Sequence, residues 1–158
     1  MGDTDANREV RRASPVDAAD AARLMHDFNS EFSAPTPGVV VLTERYAELL
    51  ATDEIIVLLA GGAPDAFAQL RFRPSVISGA LDATLEELYV APPRRGDGLG
   101  RALLEAALAV SRAAGATVIE LNTGEDDVAA KALYESVGFS NREGDPDGPR
   151  MLFYEREL

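Results

Sequence analysis

The chain has 158 residues, 46% of them apolar and 27% charged, a size and mix that suit one domain with a real core and exclude wholesale disorder. A formal net charge of −12 makes nucleic acid and anionic membranes poor partners and favours a cationic one. Cysteine is absent and His26 is the one histidine, so disulfides, a cysteine-based metal site and a thiol acyl-enzyme are excluded.

Residues 1–8 read as a loose polar lead. Met1-Gly2 would open a myristoylation signal, but Ala6 stands where Ser or Thr is required. No run approaches the ~18 apolar residues of a membrane helix, and no basic-then-apolar leader is present, so a soluble, cytoplasmic protein is expected.

Arg8 to Ala13 reads as a strand stopped at Ser14-Pro15, and Val16 to Asp27 as a helix with Ala19 and Leu24 on its apolar side. Phe28 to Val41, with Pro35 and Pro37, is expected to be looser. Leu42 to Thr52 reads as a second helix, with Thr43 as its cap. Ile55 to Ala60 and Ala66 to Phe72 form strands around the Gly61-Gly62-Ala63-Pro64-Asp65 turn.

Ala83 to Val90 is a strand stopped by Pro92-Pro93, because proline cannot donate to a ladder. Gly98 to Ala114 is a helix whose Gly100, Leu103, Leu104, Ala107, Leu108 and Ser111 share one face. Thr117 to Asn122 is a strand and Asp126 to Val137 a helix. Phe139 to Arg142 and Met151 to Arg156 read as strands around Gly144-Asp145-Pro146-Asp147-Gly148. The unit from 83 to 122 should be parallel and right-handed. Asp145 and Asp147 faintly suggest a calcium loop, but Pro149 and a missing Glu favour a plain turn, and no metal is expected.

One loop carries most of the chemical signal: Val90-Ala91-Pro92-Pro93-Arg94-Arg95-Gly96-Asp97-Gly98-Leu99-Gly100. Gly96, Gly98 and Gly100 remove the Cβ atoms that would keep an anion from backbone N–H groups. The helix that follows offers unpaired donors and the positive end of its dipole. Arg94 and Arg95 add forked donors suited to phosphate oxygens. The dinucleotide pattern fails because Arg101 falls on its third glycine, and a Walker A loop is missing.

The run Arg95-x-x-Gly98-x-Gly100 resembles the R/Q-x-x-G-x-G/A loop of the GCN5-related N-acetyltransferase (GNAT) family. Ala130-x-x-Leu133-Tyr134-Glu135-x-x-Gly138-Phe139 is similar to that family's second signature. The resemblance is strong over 83–142, and the first 80 residues match in pattern alone. It implies an α/β fold with a mixed sheet of six to seven strands and about four helices, splayed between 83–90 and 117–122. It further implies one catalytic domain over 1–158 and acetyl-CoA as co-substrate.

By the same resemblance, the pantetheine arm would lie along Leu88, Tyr89 and Val90, with the Val90 N–H polarising the thioester carbonyl. The loop from Arg94 through Gly96, Asp97, Gly98, Leu99 and Gly100 to Arg101 would hold the diphosphate, and Asn122, Asp127, Ala130 and Tyr134 the rest of the cofactor. Asp127 departs from the family, which often has Asn there. Tyr134 would protonate the departing thiolate. Glu86, four residues before Val90, would hold the acceptor ammonium and serve as base, directly or through water. Strand alternation puts Thr84, Glu86, Leu88 and Val90 on one face and Glu87 and Tyr89 on the other. Phe28, Glu31 and Phe32 stand where the family binds its acceptor, and His26 is read as structural.

Without a cysteine, the acetyl group should pass directly to a primary amine. A small polar or polycationic amine suits the acidic balance, with a peptide N-terminus or protein lysine as the alternative. A non-catalytic acyl-CoA sensor also stays open, and so does a homodimer.

Overall fold

A computed structural model of the protein describes residues 8–158. Of the expected polar lead at 1–8, residues 1–7 lie outside the described residues. The regular elements are β1 (Val10–Arg12), α1 (Ala18–Glu31), α2 (Val39–Leu49), β2 (Ile55–Ala60), β3 (Ala66–Pro74), β4 (Leu81–Val90), α3 (Leu99–Ala113), β5 (Ala116–Glu120) and α4 (Val128–Ser136). They fall into two compact units, one ending at Leu121 and one covering Asn122–Leu158.

The first unit is a sheet in the order β1-β2-β3-β4-β5. Neighbours are antiparallel except β4 and β5, which run parallel through the α3 crossover. The continuous apolar run of β2 is buried at every position, as a strand covered on both faces requires. Ile55, Val57 and Leu59 pack with Phe67 and Tyr89 against Ala21, Ala22 and Leu24 of α1 and Tyr46 of α2. The stripe Leu99, Leu103, Leu104 and Ala107 of α3 is buried, and α3 packs on β2, β3, β4 and β5.

A 3-10 turn at Pro15–Asp17 precedes α1. The Asp17 carboxylate accepts from Arg11 at 2.7 Å and from the Ser14 N–H at 2.8 Å. Arg11 first, and the Ser14 backbone bond second, hold it well below the usual carboxylate range, at about 2.

Several expectations need correction. Helix α1 runs to Glu31, not Asp27, because no breaker occurs before Pro35; Phe28 to Glu31 are therefore helical. Helix α2 starts at Val39, not Leu42, and Gly38 at φ +93° is its cap. Thr43 is not the cap: its hydroxyl donates to the Val39 carbonyl at 2.8 Å from inside the helix. The sheet has five strands among the described residues, not six or seven. In the second unit, neither Phe139–Arg142 nor Met151–Arg156 forms a strand; a single antiparallel bridge joins Arg142 to Arg150. Glu143 N–H bonds to Pro149 C=O at 2.9 Å and Met151 N–H to Asn141 C=O at 2.8 Å, so the turn forms, but beyond Met151 no ladder continues. An apolar run becomes a strand only where a neighbour accepts its backbone groups.

Candidate active site

β3 and β4 pair Gln69 with Glu87 but Leu70 with Leu85, so Glu86 is an extra residue in a bulge. The bulge breaks the expected alternation. Residues paired across an antiparallel ladder share a face, which puts Glu87 beside Gln69. Glu86 turns to the same side: its carboxylate accepts from Gln69 Nε2 and Arg71 Nε, both at 2.8 Å. Gln69 in turn accepts from the Tyr46 hydroxyl at 2.7 Å. Glu87 therefore does not lie opposite Glu86; the two acids are neighbours on the α1–α2 side of the sheet.

This placement changes their electrostatics. Burial, and secondly the charge of Glu86, push the Glu87 carboxyl up to about 7. Burial pushes the Tyr46 phenol up as well, with both acids adding to the effect.

The far end of β4 has an open edge. Parallel pairing with β5 stops at Thr84↔Glu120, and β5 itself ends there. Ala91 N–H bonds to Asp65 C=O at 2.8 Å, and bonded pairs alternate along an antiparallel ladder. Ala66↔Val90 and Ala68↔Leu88 are thus the non-bonded pairs, so the N–H and C=O groups of Val90 and Leu88 point away from β3 toward the open edge. The Val90 carbonyl accepts from Arg95 Nε at 3.0 Å on that side. Tyr89 differs. Its backbone is spent on β3, and its ring is buried against Phe28 and Phe67, at 5.3 and 6.3 Å between centroids.

The glycine loop follows directly. Gly96 and Gly98 hold φ +87° and +85°, conformations that a side chain would strain. A Cβ at Gly96 would meet nothing within 4 Å, so the backbone there is open to a ligand. The first bond of α3 runs from Ala102 N–H to Gly98 C=O at 3.0 Å, which leaves the Leu99 and Gly100 N–H groups ahead of the ladder. Donors of this kind, set at a helix start beside the side-chain-free backbone of Gly96, Gly98 and Gly100, fit a diphosphate. Arg94 braces the loop: it binds Asp65 at 2.5 Å and Asp97 at 2.8 Å. Arg95 lies 5.9 Å from the centroid of the Tyr89 ring and pairs with Glu31. Arg101 pairs with Glu105 one turn on, at 3.7 Å.

Phe28, Glu31 and Phe32 come together at the end of α1. The Phe28 and Phe32 rings meet edge-on at 5.2 Å, and Phe32 is 60% exposed. Arg95 holds the Glu31 carboxyl below its ordinary range. His26 sits by its Nδ1 3.2 Å from the Thr36 hydroxyl, a structural contact.

In the second unit, Asn122 begins the segment that leads to α4. Asp127 caps that helix, its carboxylate accepting the Ala130 N–H at 3.0 Å, so the residue in place of the family's Asn has a local task. The Tyr134 and Phe139 rings meet at 6.0 Å.

The profile described as the acetyltransferase (GNAT) family matches residues 21–139, most of the chain. The chain belongs to the GNAT family. This GNAT acetyltransferase is 33% identical over 140 residues to an aminoglycoside N(6')-acetyltransferase type 1 of Stenotrophomonas maltophilia, covering 85% of this chain and 87% of the relative. A crystal structure of a protein assigned as an acetyltransferase, from Arthrobacter sp. FB24, superposes with TM-score 0.87 at 47% identity, covering 95% and 96% of the two chains. Another, from Agrobacterium tumefaciens strain C58, gives 0.77 at 27% identity, covering 94% and 99%.

Reading the sequence of this GNAT acetyltransferase missed Tyr46, Gln69, Arg71 and Glu87 as members of one group. No local pattern signals a bulge at Glu86, and the four residues come from α2, β3 and β4. Among the described residues no helix is long and apolar enough to cross a membrane, and no cluster of three or more acidic, His or Cys residues could hold a metal.

Proposed function

We propose that the protein transfers an acetyl group from acetyl-CoA directly to a primary amine of a small polycationic acceptor. The observation that carries this reading is the Glu86–Glu87 pair on one face of β4, one acid held by Gln69 and Arg71 and the other raised to about 7. An amine attacks as the neutral species, yet an alkyl ammonium loses its proton only near ~10.4. Two adjacent carboxylates attract the ammonium, and Glu87 has the proton affinity to accept its proton near neutrality, directly or through water. Glu86 holds the cation at the bulge. The relative named as an aminoglycoside acetyltransferase supports a polyamine-like acceptor, as does the net charge of −12.

Acetyl-CoA, when bound, supplies the activated thioester and a good leaving group. The residues do the rest. The loop Gly96–Gly100 holds the diphosphate by backbone donors, and the open edge at Leu88 and Val90 pairs with the amides of the arm. The Val90 N–H stabilises the charge that develops on the carbonyl oxygen. Tyr134, by its family signature, donates a proton to the leaving sulfur. The family match over residues 21–139 supports reading the chain as one catalytic domain.

The test follows free thiol release with acetyl-CoA and a panel of polyamines, aminoglycosides, amino acids and peptides. Turnover with polyamines or aminoglycosides is expected. Turnover confined to peptides would overturn the acceptor class, and tight acetyl-CoA binding without turnover on any amine would make the protein a sensor.

A further inference from the structure

Arg8 stands against the glycine loop from a distant part of the chain. A Cβ built on Gly98 would lie 3.5, 3.6 and 3.7 Å from Arg8 Cζ, Nη1 and Nε. Three such similar distances mean that the flat guanidinium covers that glycine. Two things make the position informative. Gly98 is the cap of α3, where the helix dipole is positive, and a cation there is repelled unless an anion joins it. Among the described residues no carboxylate forms an ion pair with Arg8. The loop's own arginines differ: Arg94 is engaged by Asp65 and Asp97, and Arg95 by Glu31.

We propose that Arg8 is a further diphosphate-binding residue, closing the cradle over Gly98 and donating its guanidinium N–H groups to the CoA diphosphate. The assignment rests on the loop being the CoA cradle. Chemically it divides the work between two kinds of donor. Backbone N–H groups of the loop take one side of the diphosphate, and a forked, permanently charged side chain takes the other. It also gives a residue just ahead of β1 a part in cofactor binding, although Arg8 lies far in sequence from both family signatures.

The experiment is calorimetry on the full chain with two probes, CoA and 3′-dephospho-CoA. Arg8→Gln should weaken binding of both by ~10- to 100-fold, the cost of a lost charge-assisted pair, and Arg8→Lys should recover part of it. Thermal melts of the variants should match the parent, which separates lost contact from lost fold. Affinity within twofold of the parent would overturn the proposal. So would a loss seen with CoA and absent with 3′-dephospho-CoA, which would move Arg8 to the 3′-phosphate. Gly98→Glu, measured alongside, places a carboxylate in the cradle itself. If it too leaves CoA affinity unchanged, the cradle reading fails and Arg8 with it. If it abolishes binding while Arg8→Gln is silent, the Arg8 assignment alone fails.

Discussion

Arg95 and Glu31 face each other as a two-toothed ion pair, Nη1 to Oε1 and Nη2 to Oε2, both at 2.7 Å. The pair ties the end of α1 to the start of the glycine loop. Glu31→Gln should raise acceptor KM by ~3- to 10-fold, the modest effect of a partly exposed charge, and leave acetyl-CoA affinity within a factor of two. Steady-state kinetics with a polyamine and calorimetry with acetyl-CoA check both halves.

Glu87→Gln should be the more damaging of the two β4 variants. A base must be ionised to accept a proton, so kcat/KM should rise with pH through about 7, the value to which burial and Glu86 push Glu87. The Gln variant should lose that limb of the pH profile. Glu86→Gln should instead raise acceptor KM and keep the limb. A profile unchanged in Glu87→Gln would remove it as the base.

The same shift has a stability consequence. Between the ordinary 4.5 and about 7, folded Glu87 binds more proton than the unfolded chain does. Stability should therefore fall as pH rises through this window, and the Gln variant should flatten the trend. Urea titrations at pH 5 and pH 8 measure it.

Tyr134→Phe should lower turnover by ~10²- to 10⁴-fold with cofactor affinity little changed, if the hydroxyl protonates the leaving sulfur. Pre-steady-state thiol release gives the value. Turnover within a few-fold of the parent would reduce Tyr134 to the packing seen against Phe139.

Ser111→Ala should stabilise the protein. The Ser111 hydroxyl is buried on the inner face of α3 and has no hydrogen-bond partner among the described residues, a loss that alanine removes. The gain should be about 1 kcal/mol, read from thermal or urea unfolding.

Local chemistry was enough to read the glycine loop, the α3 stripe and the strand endings at Pro92. Each depends on backbone freedom, a missing donor or a 3.6-residue period, and these properties travel with the residues themselves. The family motifs were legible for the same reason, since Arg95-x-x-Gly98-x-Gly100 is contiguous in the chain. Pairing was not. The bulge at Glu86 exists because β3 and β4 fall out of step between Gln69 and Leu70, and one extra residue turns two neighbouring acids to one face. Residues 151–154 form a strand-like apolar and aromatic run, yet only a neighbouring backbone makes a strand. Arg8 meets Gly98, and Glu31 meets Arg95, across separations that only the packed sheet closes. A residue's propensity is its own, but its partners are fixed by what the fold brings beside it.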